Sequence, residues 1–386
     1  MRIAFVTDTF DGGIAGGVVT ASRFVEALRW RHQVTVVAPG QAAPGKIRIP
    51  GFQLPLHSMR ENRFTFGWPV RAILEPVFAA VDLVHINFPF PLGFAAVRWA
   101  RRMGVPTVAA FHVQPENVLL NIGVHSSRLA AWMYRYWVRG FFQRADGVVC
   151  PSDFAAERLQ SFGLTAPTWV VSNGTPPRRP RPATRSPLRH EPYLILCVGR
   201  LAREKRQDVI IDAVARSRHR DRIRLVVAGA GPLEEPLRRR AHEHGLAVEF
   251  GYVSDDRLVQ LQSEAQLFVH ASEVELEGMA VLEAMAAGLP VLVADAPNSA
   301  ARRLACGPEF LFRAGDAGDL AAHLDRLLTA PATLAEGARH SVAYAAEHSF
   351  HRSVRTLEQV YETVLADATS HRAPALASPE EEQGAA

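Results

Sequence analysis

Residues 267–294 read LFVHASEVELEGMAVLEAMAAGLPVLVA, and this stretch indicates the fold class most clearly. Leu267–His270 and Val291–Ala294 are short, continuously apolar runs, which is typical of strands that are covered on both faces. A helix is predicted between them, beginning near Met279. A strand, a helix and a second strand in this order form a βαβ unit, so the stretch predicts a parallel sheet.

The same alternation continues on both sides of this stretch and forms two series along the chain. The further predicted strands are Ile3–Val6, Val34–Val37, Leu83–Ile86, Thr107–Phe111, Val148–Cys150, Trp169–Val171, Leu194–Val198, Leu225–Ala228 and Val248–Phe250. Further helices are predicted at Val18–Arg29, Phe94–Met103, Ser152–Ser161, 333–347 and 351–365, and from Gln207, Pro232, Asp255 and Ala317. The fold class is therefore α/β, with two Rossmann-like domains facing a central cleft.

A change of composition separates the two series. Residues 176–192 read PPRRPRPATRSPLRHEP, a Pro/Arg-rich segment that cannot build a core and that we interpret as a linker. The predicted units are a first domain at 1–175, a second domain at 193–345 and a helix within 346–365. Residues 366–386 are rich in Ala, Ser, Pro and Glu and are predicted to be disordered.

Length and composition exclude several classes of protein. The chain has 386 residues, 48% hydrophobic and 21% charged, enough to bury two cores. Its net charge of +4 fits an anionic ligand or an anionic membrane surface but is too small to indicate nucleic-acid binding. Three widely spaced cysteines argue against a disulfide framework and a zinc site. We find neither a signal peptide nor a membrane-spanning apolar run, so a cytoplasmic location is expected.

The carboxylates of the opening stretch are the strongest functional signal. Glu275 precedes the predicted helix start at Gly278-Met279-Ala280, and Glu283 follows it. Unpaired N–H groups and the helix dipole make such a helix end attractive to phosphate. A carboxylate beside it can accept hydrogen bonds from sugar hydroxyls. The structural alternative is an ordinary helix with an acidic first turn, which needs no ligand.

A basic loop follows the first strand of the second series. Gly199 and Arg200 come directly after Leu194–Val198, and Lys205 lies five residues beyond Arg200. Glycine permits close approach of the backbone, and both cations can reach a diphosphate; the alternative is a solvated basic loop. The sequence contains no Asp-x-Asp pair and no P-loop, so arginine, lysine and the helix end must meet the diphosphate charge without a metal or cofactor.

Glycines also follow the first strand of the chain. Residues 12–17 read GGIAGG, which we interpret as a flexible loop facing the cleft. Their spacing does not match Gly-x-Gly-x-x-Gly, and Ala38-Pro39-Gly40 stands where a dinucleotide site requires an acidic residue. These departures disfavour an NAD(P)-dependent oxidoreductase on a double Rossmann scaffold, which stays an alternative.

His112 is the candidate on the other side of the predicted cleft. It stands at the carboxyl end of Thr107–Phe111 and is followed by Val-Gln-Pro-Glu-Asn. A residue at that end of a parallel strand faces the cleft, although a single histidine is as often structural.

Together these motifs resemble the family 4 retaining glycosyltransferases of the GT-B fold. The resemblance rests on Glu275-x7-Glu283 with the following AMAAGLP, on the loop from Gly199 to Lys205, on residues 228–232 (AGAGP) and on the double-glycine loop. It extends over about residues 1–365. It implies an acceptor-binding N-terminal domain, a C-terminal domain that binds a nucleotide sugar, and a last helix that returns to the first domain.

The resemblance also implies a role for each candidate residue. Arg200 and Lys205 would hold the diphosphate, Glu275 the hydroxyls of the donor sugar, and His112 the sugar near the reacting carbon. The implied donor-binding residues are Gly16, Gly17, Gly199, Tyr252, Val253, Glu277, Gly278, Met279, Ala280 and Glu283, with Glu283 on the ribose and the backbone of Tyr252 and Val253 on the base. Where the family has Gly-Phe-Gly after its first Glu, this chain has Leu276-Glu277-Gly278-Met279-Ala280, so the sequence leaves open whether Glu275 or Glu277 meets the sugar.

Two further segments make the chain look most similar to members that glucosylate diacylglycerol. They are Asn298-Ser299-Ala300 and the sequence HVQPEN that starts at His112. This similarity implies retaining, metal-free transfer of a hexose, with UDP-glucose as the first candidate donor and a lipid as acceptor. A soluble acceptor and a non-catalytic nucleotide-sugar sensor are alternatives.

A segment of the first domain combines aromatic and basic side chains. Residues 128–144 contain Trp132, Tyr134, Tyr136 and Trp137 among several arginines. This composition is typical of a helix lying on an anionic bilayer, and predicts peripheral membrane contact. The alternative is a core helix whose arginines lie on its wet face.

Overall fold

The computed structural model describes residues 1–11, 16–54, 64–176 and 192–372. Two parallel sheets form the centres of two domains. The first has seven strands in the order β3-β2-β1-β6-β7-β8-β9. Its strands are β1 Arg2–Val6, β2 Gln33–Ala38, β3 Lys46–Arg48, β6 Leu83–Ile86, β7 Thr107–Ala110, β8 Gly147–Cys150 and β9 Thr168–Val170, with a separate hairpin of β4 Gly51–Phe52 and β5 Phe66–Gly67.

The second sheet has six parallel strands in the order β12-β11-β10-β13-β15-β17. They are β10 Tyr193–Val198, β11 Ile223–Ala228, β12 Val248–Gly251, β13 Leu267–His270, β15 Val291–Asp295 and β17 Leu311–Arg313. A small parallel pair, β14 Val274–Glu275 and β16 Asn298–Ser299, lies outside this sheet. The expected α/β architecture is therefore confirmed, and every predicted strand is found within two residues of its expected start.

Helices connect the strands. In the first domain they are α1 Gly16–Leu28, α2 Arg71–Ala79, α3 Pro91–Arg102, α4 Pro115–Asn121, α5 Ser127–Gly140 and α6 Asp153–Ser161. After β10 they are α7 Gln207–Arg216, α8 Glu234–Glu243, α9 Asp255–Glu264, α10 Met279–Ala286, α11 Ala317–Leu327, α12 Pro331–Glu347 and α13 Phe350–Arg372. Short 3-10 helices cover Phe142–Arg144, Arg203–Lys205, Arg220–Arg222, Ala300–Leu304 and Pro308–Phe310.

Local chemistry fixes where several helices begin. The hydroxyl of Ser126 accepts a hydrogen bond from the backbone N–H of Leu129, and Ser152 caps α6 through Ala155 in the same way. Such caps satisfy N–H groups that have no partner inside the helix. The helix predicted from Pro232 begins two residues later, at Glu234, and the N–H of its N-cap residue, Leu233, bonds to the carbonyl of Leu201.

Alternation along the strands gives each sheet an apolar layer on both faces. Val84 and Ile86 of β6 belong to one cluster of buried side chains, and Leu83 of the same strand belongs to another. In the second domain Ile195 and Leu196 divide between two clusters in the same way. Burial on both faces explains why the strand sequences are continuously apolar.

The last helix packs on the first domain, although it follows the second domain in the chain. Leu357, Val360, Tyr361 and Val364 of α13 lie in the cluster that covers one face of the first sheet. The helix enters beside Thr175, whose N–H bonds to the carbonyl of His348 at 2.9 Å. The return that the resemblance implied is thus present.

The boundary predicted for the tail was placed too early. Helix α13 continues past residue 365 to Arg372, so residues 366–372 are helical. The hydroxyls of Thr369 and Ser370 donate to the carbonyls of Leu365 and Ala366. The first proline after this helix is at position 374. Residues 373–386, residues 177–191 of the predicted linker, and Gly12 and Gly13 lie outside the described residues.

No helix among the described residues is long and apolar enough to cross a membrane. All three cysteines, Cys150, Cys197 and Cys306, are free thiols.

Candidate active site

Lys205 and Glu275 meet at the carboxyl end of the second sheet. Lys205 ends the 3-10 helix Arg203–Lys205, and its Nζ lies 2.5 Å from Oε1 of Glu275. The same oxygen lies 2.8 Å from Nε2 of His270, the last residue of β13. A lysine, a histidine and a carboxylate from three separate segments therefore form one cluster.

The environment of Glu275 keeps it ionised. Burial opposes its charge, but the ammonium of Lys205 and the hydrogen bond from His270 outweigh burial and hold the pKa of Glu275 well below its usual range. Both bonds use Oε1, so the cluster presents a fixed anion directly beside a fixed cation.

Arg200 lies at the same carboxyl end of the second sheet, which we call the rim, and reaches across the cleft. Its Nη2 lies 2.6 Å from Oε1 of Glu204 and 2.9 Å from Oδ1 of Asn121, at the end of α4 in the first domain. The carbonyl of Glu204 in turn accepts the N–H of Glu273. These bonds hold the guanidinium in one position between the two domains.

Glycines let the ends of β10 and β11 approach each other. Gly229 has φ +158, and a Cβ at this position would lie 1.9 Å from the carbonyl oxygen of Gly199. A Cβ on Gly199 itself would meet nothing within 4 Å. The backbone beside Arg200 is therefore open on the side of Gly199, as close approach of a ligand requires.

Helix α10 presents its amino end beside this rim. Gly278, its N-cap, has φ +91, a conformation that other residues rarely adopt, and no side chain within the described ranges caps the helix. The predicted positions Met279 and Ala280 are the first two helical residues. Farther along, Glu283 lies 3.7 Å from Nη1 of Arg23 on α1, so this carboxylate also faces the first domain.

Glu277 has different surroundings from Glu275. Its side chain is 6% exposed, and its carboxylate accepts bonds from the hydroxyl of Ser172 and from the N–H of Asn173, at 3.1 and 3.2 Å. Burial without a cation raises the pKa of Glu277 to about 7. Although the sequence included Glu277 among the donor-binding candidates, the hydrogen-bond partners found for it among the described residues belong to the first domain.

On the facing side, His112 lies against the start of α1. A Cβ on Gly17 would lie 3.2 Å from Cβ of His112 and 3.4 Å from the ring of Phe88, so only a glycine fits there without displacement. Gly16 precedes it at the start of the helix, where a Cβ would have no atom of the described residues within 4 Å. Burial lowers the pKa of His112 to about 4, which keeps the imidazole neutral near pH 7.

Tyr252 and Val253, the expected base-binding residues, follow β12. The side chain of Tyr252 is 81% exposed, whereas Val253 packs against a core cluster of the second domain. They lie beside Gly251, which accepts the N–H of Gly229 and so joins the same rim as Gly199.

Charged side chains also join the two domains away from the rim. Arg158 donates to Oε1 of Glu116 at 2.8 Å and to Oδ1 of Asn298 at 2.9 Å. Its guanidinium lies over the ring of Tyr134, whose hydroxyl donates to the same carboxylate. Asn298 belongs to β16, beside Glu275 in β14, so this network ties the first domain to the strand that carries Glu275.

Three residues of the site, His270, Asn121 and Ser172, were not predicted from the sequence. His270 ends a predicted strand, as His112 follows one, so its position at a strand end could have indicated it. Asn121 and Ser172 could not be found in this way, because their partners Arg200 and Glu277 lie 79 and 105 residues away in the other domain.

Family models match both halves of the chain. Residues 14–179 match "Glycosyltransferase Family 4", and residues 181–348 match "Glycosyl transferases group 1". Alpha-monoglucosyldiacylglycerol synthase of Streptococcus pneumoniae is 25% identical over 320 residues, which are 77% of this chain and 72% of that protein. GDP-mannose-dependent alpha-mannosyltransferase of Mycobacterium tuberculosis is 28% identical over 313 residues, which are 77% of this chain and 79% of that protein.

Among solved structures, sucrose-phosphate synthase from Thermosynechococcus elongatus superposes with a TM-score of 0.74. The match covers 95% of this chain and 100% of that one at 18% identity. At this identity the likeness concerns the fold alone, and it extends over both domains.

Proposed function

This chain belongs to the family 4 glycosyltransferases of the GT-B fold, and we propose that it transfers a hexose from a nucleotide sugar to a lipid hydroxyl with retention of configuration. UDP-glucose is the donor and diacylglycerol the acceptor that we propose first. The first domain would hold the acceptor and the second the donor.

The cluster of Lys205, Glu275 and His270 is the observation that carries this proposal. In a nucleotide sugar, a diphosphate is joined to a sugar ring that carries hydroxyl groups. The rim places cations, which suit the diphosphate, next to a carboxylate, which can accept hydrogen bonds from the hydroxyl groups. We assign Lys205 and Arg200 to the diphosphate, together with the uncapped end of α10. Oε2 of Glu275 is the oxygen that we assign to a sugar hydroxyl.

These groups would act chiefly on the leaving group. As the bond between the anomeric carbon and the diphosphate oxygen breaks, negative charge grows on the diphosphate, and cations already held in place stabilise it without reorganisation. The acceptor oxygen bonds to the anomeric carbon from the face that the diphosphate leaves, and its proton passes to the departing phosphate oxygen. Retention follows from this same-face attack, with no covalent intermediate on the protein.

Neutral His112 suits the opposite side of the sugar. An uncharged imidazole can hydrogen-bond a sugar hydroxyl near the reacting carbon without opposing the positive charge that develops there. We therefore assign His112 to the donor sugar, and the space beside it, toward Phe88, to the acceptor.

The names of the relatives support the transfer of a hexose, and they point to two candidate donors. The Streptococcus protein is named for a glucosylated diacylglycerol, and the Mycobacterium protein for GDP-mannose. Both names specify an alpha product, and UDP-glucose and GDP-mannose are themselves alpha-linked. GDP-mannose is therefore the second donor that we propose.

Helix α5 provides a surface for a lipid acceptor. Trp132 and Tyr136 are 57% and 52% exposed and stack on each other, with ring centroids 5.6 Å apart. The exposed Arg128, Arg135 and Arg139 lie on the same helix. Such a face fits the boundary of an anionic bilayer, and we propose that it brings the first domain to the membrane.

Of the four aromatic residues named in this segment, only Trp132 and Tyr136 are exposed. Tyr134 and Trp137 are buried in the core rather than exposed, because they lie on the opposite side of the helix from Trp132 and Tyr136. The proposed membrane face is correspondingly narrower than the sequence suggested.

A thermal-shift panel tests the donor directly. UDP-glucose, GDP-mannose, ADP-glucose and NADH are each added to the protein, and bound ligands raise the melting temperature by mass action. We expect one nucleotide sugar to stabilise the protein and to be consumed when diacylglycerol vesicles are added. Stabilisation by NADH alone, or tight binding without transfer to any acceptor, would contradict the proposal.

A further inference from the structure

Behind His112 lies a cluster of buried polar side chains to which the proposed chemistry gives no role. His85 in β6 is 2% exposed, and its Nδ1 lies 2.9 Å from the hydroxyl of Tyr361 on α13. Tyr361 is fully buried, and the ring of His85 stacks on Phe5 with centroids 4.4 Å apart. The last helix of the chain thus places a buried hydroxyl against a side chain of β6 in the first sheet.

The other side of the His85 ring points toward His112. Nε2 of His85 and Oδ1 of Asn87 are buried and have no hydrogen-bond partner in the part of the chain that the structure describes. His85, Asn87 and His112 all line one cavity of about 10 Å³. This volume is close to the smallest that can admit a single water molecule, which needs polar partners such as these.

A buried hydroxyl proton without an acceptor is costly, and Nδ1 of His85 lies 2.9 Å from the hydroxyl of Tyr361. We therefore assign Tyr361 as the donor and Nδ1 of His85 as the acceptor of this bond. Nε2 then carries the ring hydrogen and donates into the cavity, toward Oδ1 of Asn87 and the imidazole of His112. Burial and the neighbouring His112 lower the pKa of His85 to about 3, so the ring is neutral near pH 7.

We propose that Tyr361 and His85 are positioning residues for His112. Tyr361 fixes the tautomer of His85, and His85 then orients the imidazole of His112 through a water molecule in the shared cavity. The proposal rests on the role of His112 in transfer that is proposed above. It assigns to the returning helix a part in the reaction, in addition to its packing on the first domain.

Tyr361→Phe tests this proposal because it removes one hydroxyl and keeps the ring that packs in the core. We expect kcat for transfer to fall about tenfold, the effect of losing one hydrogen bond that orients a reacting group. The KM for the donor should change by less than about twofold, since the diphosphate is held elsewhere. The matched control is Glu358→Gln on the same helix, which weakens the contacts of α13 with Arg31 and His32 without touching His85; its kcat should stay normal.

A double-mutant cycle with His112→Ala separates positioning from a structural role. If Tyr361 acts through His112, adding Tyr361→Phe to His112→Ala should lower kcat no further. A tenfold loss in both backgrounds, or an equal loss in Glu358→Gln, would overturn the proposal. Should Tyr361→Phe fail to fold, His85→Asn is the second variant: its amide can accept from Tyr361 but places nothing at Nε2, and the same loss is expected.

The same assays distinguish a failure here from a failure of the proposed function. Wild-type protein that transfers no hexose would contradict the proposed function. Normal transfer by His112→Ala would remove the role of His112, and this inference with it, while leaving the glycosyltransferase assignment intact. Active wild type, impaired His112→Ala and additive losses would overturn the positioning alone.

Discussion

The rim of the second domain and the surface of the first domain that faces it differ in charge. On the rim, Lys205 and Glu275 are paired ions, and Arg200 is fixed by Glu204 and Asn121. On the opposite side, burial keeps His112 neutral. A leaving diphosphate needs fixed cations, whereas the sugar carbon and a lipid acceptor need none, so the difference in charge matches the proposed division between donor and acceptor.

Glu277 shows that this difference depends on position rather than on residue type. It lies two residues from Glu275 but meets Ser172 and Asn173 of the first domain, and no cation pairs with it in the part of the chain that the structure describes. The pKa of Glu275 is lowered by its cation, and that of Glu277 is raised to about 7 by burial. Two neighbouring glutamates thus belong to different environments.

The largest expected effect comes from removing the cations of the rim. Lys205→Ala or Arg200→Ala should lower kcat/KM by about a hundredfold or more, the scale found for other preorganised groups that stabilise transition-state charge. Steady-state kinetics and the affinity for UDP measure the effect. The exposed Arg239 of the second domain supplies a control, Arg239→Ala, which should be near normal. Near-normal turnover in both rim variants would contradict the role given to them.

A smaller effect is expected from Glu277→Gln, in stability rather than in activity. The pKa of Glu277 is raised from 4.5 to about 7 on folding, so its contribution to stability is complete below about pH 4.5 and is lost as the pH rises through about 7. The loss amounts to roughly 3 kcal/mol at most. Glutamine stays neutral, so the variant should gain melting temperature relative to wild type between pH 5 and pH 8.

Glu275→Gln provides the contrast with this result. The pKa of Glu275 is lowered on folding, so its contribution is present above about pH 4.5 and is lost as the pH falls. Thermal melts of the two variants should therefore separate from wild type in opposite directions as the pH rises above about 4.5, with Glu277→Gln more stable than wild type and Glu275→Gln less stable. Parallel curves for both would show that the two carboxylates share one environment.

On the outer side of the first domain, the exposed arginines of α5 should control binding to membranes. Wild-type protein should co-sediment with vesicles containing anionic lipid at low salt and be released at high salt. Arg135→Glu combined with Arg139→Glu should weaken this binding at least about tenfold. The control Arg239→Glu with Arg326→Glu makes the same change of charge on the second domain. Wild-type protein that ignores such vesicles at low salt would favour a soluble acceptor.

The smallest expected effect is that of removing divalent metal ions. Because Lys205, Arg200 and the end of α10 are assigned to the diphosphate, EDTA should leave the rate of transfer unchanged. Activity that disappears with EDTA and returns with Mg²⁺ would show that the rim does not neutralise the diphosphate alone.

The sequence was sufficient to predict most strands of the two sheets, because continuously apolar runs and glycine-rich strand ends are local features. It did not predict the edge strands β3 and β17, which are three residues long, or β4, β5, β14 and β16, which are two residues long. The burial of Tyr134 and Trp137 and the exposure of Trp132 and Tyr136 follow the helical period, and could have been predicted from it.

The choice between Glu275 and Glu277 could not be made from the sequence. Alternation in a strand would place both on one face, but β14 ends at Glu275 and the carbonyl of Leu276 bonds to Ser152 of the first domain. The different directions of the two side chains therefore depend on contacts between domains, as do the partners of Arg200.

The anomeric configuration of the product tests the central claim most directly. Wild-type protein is incubated with diacylglycerol vesicles and the nucleotide sugar that the thermal panel selects. The one-bond coupling constant between the anomeric carbon of the product and its proton is then measured by NMR. We predict an alpha-linked glycolipid, formed in equal amount to the nucleoside diphosphate released, and about a hundredfold more slowly by Lys205→Ala. A beta-linked product, or release of the nucleotide at the same rate by Lys205→Ala, would contradict retaining transfer at this rim.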